Sequence, residues 1–443
     1  MNTNFRLVLA ALSGVTLGAV AVAGVRAQEN VSTHAYNLPM ANRAEDVGIS
    51  SARLSRVTST FQAEVDKAAI PGAVVLIARR GKVAYFEAFG FRDREKQAPM
   101  QKDSIFRIAS LTKPFTSVAV MMLAEEGKLA LHDPVSQYLP EFKNGKVGVE
   151  KLDGTATPHL ALEPVRREIT IQDLLRHTSG LTRPSTFSLV TQAYVDAKVA
   201  DRKQTSAEMI AKLAKLPLAF QPGTTWEYSM STDVLGRVIE VVSGVDLDRF
   251  IAERIAKPLG LSDSGFWVPQ ESAARLAEPQ VDKRTGKRPP MVEATQRPGW
   301  FSGAGGMVST AADYYRFSQM LLNGGQLDGV RLLSPKTVAL MTSNHLPPGV
   351  TYGPTMAAAF EALAPMPEFG TGFGLGFAVR TNQGRSPVPG SVGDYYWGGA
   401  TGTYFWVDPQ EQLIAVMMLQ VANDQRIHYR YLMRELVYQA TID

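Results

Sequence analysis

The sequence of 443 residues contains no cysteine, and this absence sets the first limits on its chemistry. Without thiols the chain forms no disulfide bond, offers no thiolate to a metal and carries no lipid-modified cysteine, whichever compartment it occupies. The sequence also lacks a strong net charge, because its 46 Lys and Arg residues nearly balance its 42 Asp and Glu residues. No basic stripe with interleaved aromatic residues occurs, so the sequence gives no electrostatic reason to expect nucleic-acid binding.

Several enzyme signatures are missing as well. The sequence has no Gly-x-Ser-x-Gly, no His-Glu-x-x-His, no P-loop and no Gly-x-Gly-x-x-Gly, and its 6 histidines are scattered. These patterns would indicate an α/β-hydrolase elbow, a zinc peptidase, a phosphate-binding loop or a dinucleotide site. We therefore expect neither a metal nor a cofactor.

The N-terminus has the layout of a signal peptide over residues 1–27. Arg6 precedes an uncharged apolar run from Leu7 to Val25, and Val25-Arg26-Ala27 suits a cleavage site. We expect export to the periplasm or secretion, with no stable membrane insertion after cleavage. An uncleaved leader that acts as a membrane anchor is the alternative. Residues 28–48 are then an N-terminal extension.

The spacing of apolar residues predicts the fold of the remainder. Helices are predicted over 49–67, 112–126, 169–176, 235–242 and 426–438, and strands over 72–78, 83–90, 372–380, 404–407 and 412–419. Strands near both ends with helices between them indicate an α/β (α+β) fold. We expect a sheet domain of residues 49–130 and 267–443, interrupted by a helical insertion of residues 131–266.

Ser110-Leu111-Thr112-Lys113 is the only Ser-x-x-Lys in the sequence and lies at the start of the predicted helix 112–126. Pro114 is tolerated only in a first helical turn, which places Ser110 at the helix mouth. Residues three apart share a helix face, so the Lys113 amine can reach the Ser110 hydroxyl, where the helix dipole favours negative charge. Ser110 is thus a candidate nucleophile. An N-cap serine beside a solvated lysine is the alternative.

Two further segments contain candidate site residues. Tyr228 lies between a turn and a predicted helix, where its hydroxyl could assist a base; a buried tyrosine with a satisfied hydroxyl is the alternative. Trp397-Gly398-Gly399-Ala400 precedes the strand 404–407. Its glycines allow close backbone approach, so that an N–H of this segment could hold an oxyanion together with the Ser110 N–H. A glycine-rich hairpin is the alternative.

In this order, Ser110-x-x-Lys113, Tyr228 and Trp397-Gly398-Gly399 resemble the motifs of the family VIII carboxylesterases, relatives of class C β-lactamases and D-alanyl-D-alanine peptidases. The segments 169–181 and 236–244 also resemble that superfamily, and the likeness extends over about residues 49–436. The resemblance implies a β-lactamase/D,D-peptidase-like fold with a central antiparallel sheet flanked by helices.

Two positions differ from the pattern of the penicillin-recognising enzymes. Met230 stands where their Tyr-x-Asn has asparagine, and Trp397 stands where their Lys-Thr-Gly has lysine. Losing an amide and a cation while gaining an indole favours neutral, apolar esters over charged lactams and peptides. The segments 355–369 and 300–301 are candidates for the acyl or alcohol pocket, or else ordinary core.

The resemblance therefore implies a serine carboxylesterase that acts on a small-molecule ester with a short acyl chain or an aryl group. Ser110 would attack the carbonyl while Lys113 and Tyr228 together accept its proton. The N–H groups of Ser110 and Ala400 would hold the oxyanion, and Trp397-Gly398-Gly399 would line the pocket. The alternatives are a β-lactamase or D-alanyl-D-alanine carboxypeptidase, and a non-catalytic ligand-binding protein of the same fold. The sequence does not set an oligomeric state.

Overall fold

The computed structural model describes residues 38–152, 154, 157–421 and 425–443. The predicted signal peptide and the extension before residue 38 lie outside the described residues. Within these ranges, no helix combines the length and the apolar character needed to cross a membrane.

The strands are β1 (Gly72–Arg79), β2 (Lys82–Asp93), β3 (Ala98–Pro99), β4 (Phe106–Arg107), β5 (Lys146–Leu152), β6 (Pro158–Pro164), β7 (Thr225–Trp226), β8 (Val308–Ser309), β9 (Gln326–Leu327), β10 (Val330–Arg331), β11 (Thr351–Tyr352), β12 (Thr371–Phe373), β13 (Ala378–Arg380), β14 (Tyr395–Gly398), β15 (Tyr404–Asp408) and β16 (Leu413–Leu419). The helices are α1 (Ser51–Asp66), α2 (Thr112–Glu125), α3 (Ile171–Leu175), α4 (Leu189–Asp196), α5 (Ser206–Leu213), α6 (Ser231–Ser243), α7 (Leu247–Ile251), α8 (Lys257–Leu259), α9 (Ala311–Leu322), α10 (Pro335–Met341), α11 (Met356–Phe360) and α12 (Arg426–Tyr438).

Strands from both ends of the chain form one eight-stranded sheet in the order β12-β13-β14-β15-β16-β1-β2-β3. β1 lies between β2 and β16, and it pairs antiparallel with both. Every residue of β1 is buried, because both its edges are hydrogen-bonded and both its faces are covered. The predicted central antiparallel sheet is confirmed.

Helices cover the two faces of this sheet, as predicted. Successive side chains of a strand point to opposite faces, and β15 shows which helix covers which face. Trp406 stacks on Tyr438 of α12 with ring centroids 6.0 Å apart. Phe405 points the other way and contacts Tyr314 of α9 at 4.8 Å. Trp397 of β14 pairs with Phe405 and therefore lies on the α9 face.

Two parts of the local prediction need correction. The single strand predicted over 372–380 is wrong, because this segment contains the hairpin β12–β13, in which Thr371 pairs with Arg380. Its turn passes through Gly376, whose φ of 100° lies in the region that favours glycine. The region 131–266 contains helices but also the hairpin β5–β6, which the apolar pattern did not predict. The division into two domains stays a prediction.

A buried group of three charges ties α12 to the sheet. Asp394, just before β14, accepts from Arg380 of β13 at 2.9 Å and from Arg434 of α12 at 2.8 Å. Each of the three side chains is at most 3% exposed. One buried carboxylate is therefore shared by two guanidinium groups, and this pairing fixes α12 against β13 and β14.

Asp394→Asn is expected to destabilise the protein by about 3–5 kcal/mol, because it leaves two buried guanidinium groups without a carboxylate. Urea denaturation followed by tryptophan fluorescence measures the change. Glu253→Gln is the matched control, because it removes the carboxylate of the exposed Arg249–Glu253 pair in one helical segment. An Asp394→Asn protein as stable as this control would contradict the assigned role.

Candidate active site

Ser110 lies where β4 gives way to α2. After β4 the chain passes through Ala109, whose φ of 46° is unusual for a residue with a Cβ, and a 3₁₀ turn at Ala109–Leu111 leads into the helix. Thr112 stabilises this turn: its hydroxyl donates to the Ala109 carbonyl at 2.7 Å and accepts from the Met307 N–H at 3.0 Å. The strained turn thus presents the partly exposed Ser110 hydroxyl at the mouth of α2.

The structure brings Lys113 and Tyr228 to this hydroxyl. The Tyr228 hydroxyl donates to Ser110 Oγ at 2.7 Å, and the Lys113 Nζ lies 3.4 Å from the same oxygen. Lys113 is 3% exposed and Tyr228 is 8% exposed. The three side chains predicted from the sequence are therefore in mutual hydrogen-bonding reach in a largely dry environment.

Lys113 is held by a backbone carbonyl rather than by a carboxylate. Its Nζ donates to the Ala304 carbonyl at 2.7 Å and lies 4.4 Å from the centroid of the Tyr228 ring. No carboxylate of the described residues forms an ion pair with it. Asp233 of α6 fixes the loop that supplies this carbonyl, because its Oδ1 accepts from the Ser302 hydroxyl at 2.5 Å and from the Ala304 N–H at 3.2 Å.

The uncompensated charge of Lys113 acts on Tyr228. Burial alone would raise the pKa of Tyr228, but the Lys113 charge and hydrogen bonds from Lys113 and Ser110, with help from the Trp397 indole, hold it below the usual value of 10. Tyr228 therefore ionises to the phenolate at a lower pH than a free tyrosine does. A phenolate at this position is within hydrogen-bonding distance of Ser110 Oγ, which is the geometry that a base for this hydroxyl requires.

Trp397 forms the apolar wall of the site at the end of β14. It is 2% exposed, and its ring centroid lies 5.4 Å from that of Tyr228 and 5.3 Å from those of Phe360 and Phe373. Phe360 belongs to the segment 355–369 proposed from the sequence as a pocket lining. The other proposed lining, Trp300-Phe301, is buried, and Phe301 packs on Phe266 at 5.1 Å.

Gly398 and Gly399 are needed for contacts behind the site. A Cβ on Gly399 would lie 2.6 Å from the Ile108 carbonyl, and a Cβ on Gly398 would lie 2.3 Å from Cζ of the buried Arg430. The missing side chains let the end of β14 pack against the segment before Ser110 and against α12. The glycine pattern was recognisable in the sequence, but its partners were not.

Ala400 follows in an exposed turn beside Ser110. Thr401 and Thr403 tie this turn to the strand before Ser110, because their hydroxyls donate to the carbonyls of Arg107 and Ile108 at 3.2 and 3.1 Å. Neither the Ala400 N–H nor the Ser110 N–H donates to an acceptor among the described residues. Both remain available for an oxyanion, which is the role predicted for them.

His177 supports Tyr228 from behind and takes no proton itself. It is 1% exposed, its ring centroid lies 4.9 Å from that of Tyr228, and its Nδ1 accepts from the Ser229 N–H at 3.4 Å. Burial, with the nearby Lys113 charge, lowers the pKa of His177 well below 6.5. The imidazole therefore stays neutral. Met230, in place of the asparagine, is buried at the start of α6 and brings no amide to the site.

Comparison with known proteins gives consistent matches along most of the chain. A family model described as Beta-lactamase matches residues 57–438. The chain is 38% identical to Protein Rv1367c of Mycobacterium tuberculosis, over 81% of this chain and 88% of that protein. It is 32% identical to Esterase EstB of Burkholderia gladioli, over 84% of this chain and 91% of that protein. The solved structure of EstCE1, described as a hydrolase with promiscuous acyltransferase activity, matches with a TM-score of 0.72 and 29% identity, over 87% of this chain and 99% of that one.

Glu227, next to Tyr228, makes stability depend on pH. Its side chain is buried and accepts from the Thr182 hydroxyl at 3.2 Å, and burial raises its pKa from 4.5 to about 7. As the pH rises from about 4.5 to about 7, the unfolded chain loses this proton before the folded protein does. The wild type therefore loses stability across that interval.

Glu227→Gln removes this ionisation, so the free energy of unfolding of the variant minus that of the wild type should increase from pH 4.5 to pH 7, by up to about 3 kcal/mol. Urea denaturation at several pH values measures the difference. Glu163→Gln, at an exposed position of β6, should show no such trend. A difference for Glu227→Gln that is flat or falls with pH would refute the assignment.

Proposed function

The chain belongs to the beta-lactamase family and is a serine hydrolase of that fold, and on this basis we propose that it is a carboxylesterase that cleaves small neutral esters. One observation carries the proposal: Ser110 Oγ lies 2.7 Å from the Tyr228 hydroxyl and 3.4 Å from Lys113 Nζ, against the apolar wall formed by Trp397. Ser110 provides a nucleophile, Tyr228 and Lys113 provide a base, and the indole of Trp397 provides an apolar surface that suits an uncharged ester.

In the first half of the reaction, the Ser110 oxygen attacks the ester carbonyl carbon. Its proton passes to Tyr228, whose phenolate is stabilised by Lys113. The carbonyl oxygen becomes an oxyanion that accepts from the N–H groups of Ser110 and Ala400. Collapse of this intermediate expels the alcohol, which takes up the proton held by the Tyr228–Lys113 pair, and leaves an acyl-enzyme. The two groups are coupled, so the proton belongs to the pair.

In the second half, water replaces the alcohol. The same pair removes a proton from the water as it attacks the acyl carbon, and the released Ser110 oxygen takes that proton back. The mouth of α2 and the Ala400 turn stay fixed throughout, because Thr112, Thr401 and Thr403 hold both segments by hydrogen bonds. The preformed donor geometry avoids reorganisation during the reaction.

Ester hydrolysis fits the surroundings of Ser110 better than lactam or peptide hydrolysis does. The position of a carboxylate-binding lysine is occupied by Trp397, and Phe360 and Phe373 extend the apolar wall. Two of the similar proteins support this preference, since EstB is an esterase and EstCE1 is a hydrolase. Burying a substrate carboxylate against three aromatic rings would cost desolvation energy without a compensating ion pair.

A β-lactamase or D-alanyl-D-alanine carboxypeptidase remains the second candidate, and one observation favours it. The exposed Arg183 holds its guanidinium carbon 5.8 Å from the centroid of the Tyr228 ring. A cation at the entrance could bind a carboxylate from a direction that Trp397 does not block. This candidate predicts that Arg183→Gln selectively lowers turnover of a chromogenic cephalosporin.

The catalytic roles are tested on a short-chain aryl ester. Ser110→Ala should abolish acyl-enzyme formation, and Tyr228→Phe and Lys113→Met should each lower kcat by roughly 10²–10⁴ because the base is lost. Tyr352→Phe is the matched control: it removes another phenol hydroxyl near Trp226, and that hydroxyl has no partner among the described residues. Near-normal turnover in any of the three variants would overturn its assigned role.

The ester and lactam proposals are separated by comparing kcat/KM for the aryl ester and the cephalosporin on the wild type. We expect the ester to be preferred by at least tenfold, since the site offers an apolar wall rather than a buried cation. An ester panel of increasing acyl length then defines the pocket. A preference for the cephalosporin that disappears in Arg183→Gln would favour the second candidate instead.

A further inference from the structure

Arg430 is a buried cation that forms no ion pair with any described residue. It lies on α12 and is 3% exposed, and no carboxylate of the described residues forms an ion pair with it. Arg434, one turn further along the same helix, differs in this respect, because it forms an ion pair with the buried Asp394. Burial, with the nearby charge of Arg426, lowers the pKa of Arg430 to about 10. A group placed at such an energetic cost is expected to have a specific partner.

That partner is one backbone carbonyl. Arg430 Nη2 donates to the Gly399 oxygen at 2.6 Å, and the Gly402 N–H donates to the same oxygen at 3.2 Å. The Gly399 N–H in turn donates to the Thr403 carbonyl at 2.7 Å. The Gly399 carbonyl is therefore held firmly on the α12 side of the strand end.

The Gly399 carbonyl and the Ala400 N–H belong to the same peptide unit. In a planar trans peptide these two groups point in opposite directions, and the chain has no cis peptide in its described part. Holding the oxygen toward Arg430 therefore turns the Ala400 N–H away from α12. A charged donor on the oxygen also polarises the peptide, which strengthens its N–H as a donor.

We propose that Arg430 is a positioning residue for the oxyanion site: its guanidinium orients and polarises the Gly399–Ala400 peptide, so that the Ala400 N–H stabilises the negative charge that develops on the substrate oxygen. This inference rests on the proposed hydrolase mechanism. Arg430 touches neither substrate nor nucleophile and acts only through the peptide.

The sequence around the peptide fits this role. A Cβ on Gly398 would lie 2.3 Å from Cζ of Arg430, so glycine at this position leaves the space that the guanidinium occupies. The Gly-Gly pair after Trp397 thus serves the contact with Arg430 on one side and with Ile108 on the other. Gly398→Ala should displace the guanidinium of Arg430 and so weaken its hydrogen bond to the Gly399 carbonyl without changing Arg430 itself.

Two simpler roles would give different results. Arg430 could only anchor α12 to the sheet, or it could act through its charge on the distant Tyr228, whose ionisation it affects electrostatically. Arg426 serves as the matched control for the second role. It carries the same charge one turn earlier on α12, interacts electrostatically with Tyr228, and donates to the Ala359 carbonyl rather than to Gly399.

The experiment compares Arg430→Gln, Arg430→Lys and Arg426→Gln with the wild type. It measures kcat and KM for a neutral aryl ester, the affinity for phenylboronic acid, and the unfolding temperature. The boronic acid forms a tetrahedral anion with a serine hydroxyl, so its affinity reports the oxyanion site without requiring turnover.

We expect Arg430→Gln to lower kcat and kcat/KM together by roughly tenfold to hundredfold, and to weaken boronate binding by a similar factor. Arg430→Lys should recover part of both losses, because an ammonium group can still donate to the Gly399 oxygen. Arg426→Gln should stay within about threefold of the wild type. If Arg430→Gln does not fold, Arg430→Lys and Gly398→Ala carry the test through the same two readouts.

The proposal is overturned if the folded Arg430 variants keep wild-type kcat and boronate affinity while only the unfolding temperature falls, because Arg430 is then an anchor. It is also overturned if Arg426→Gln loses as much as Arg430→Gln, because charge alone then explains the effect. A wild type that binds boronate but hydrolyses no ester would instead refute the proposed function. The boronate comparison would still decide the role of Arg430.

Discussion

No carboxylate in the described part of the chain pairs with the buried amine of Lys113, and the other groups of the site are arranged around that charge. A carboxylate at this place would absorb the charge and leave Tyr228 an ordinary phenol. A carbonyl oxygen, that of Ala304, holds the amine by its dipole and leaves most of the charge to act on Tyr228. The carboxylate of Asp233 acts indirectly: it accepts a hydrogen bond from the Ala304 N–H and so fixes the loop whose carbonyl holds Lys113. The aromatic rings around Tyr228 exclude water, and so they keep this interaction strong.

The site is assembled where two helices meet the end of one strand. The 3₁₀ turn before α2 supplies the serine, and α2 supplies the lysine. The segment before α6 supplies the tyrosine, β14 supplies Trp397, and the turn after β14 contains Ala400. α12 lies on the opposite face of the sheet, yet Arg430 reaches the end of β14 because Gly398 has no side chain in the space that the guanidinium occupies.

The sequence predicted those parts of the protein that depend on local pattern. The apolar spacing places α2 over 112–126 and α12 over 426–438, and the structure has them at Thr112–Glu125 and Arg426–Tyr438. The strands β12 and β13 were merged because three residues each are too few for a periodic signal. The hairpin β5–β6 was missed because most of its residues are exposed, so it has no clear apolar face. For the site, the motif residues were recognised by resemblance, whereas Ala304, Asp233 and Arg430 were not. From sequence alone, an arginine in a helix is expected to be exposed to solvent. Only the tertiary packing shows that Arg430 is buried.

The position of β1 between β2 and β16 has a consequence for how the protein is made. β1 and β2 emerge from the ribosome early and can form their hairpin at once, but the other edge of β1 is covered only by residues 413–419. Until these residues have been synthesised, β1, which is apolar except for Arg79, keeps an unpaired edge of the kind that favours aggregation. The central sheet can therefore close only after β16 has been synthesised, and until then β1 must avoid pairing with a strand of another chain.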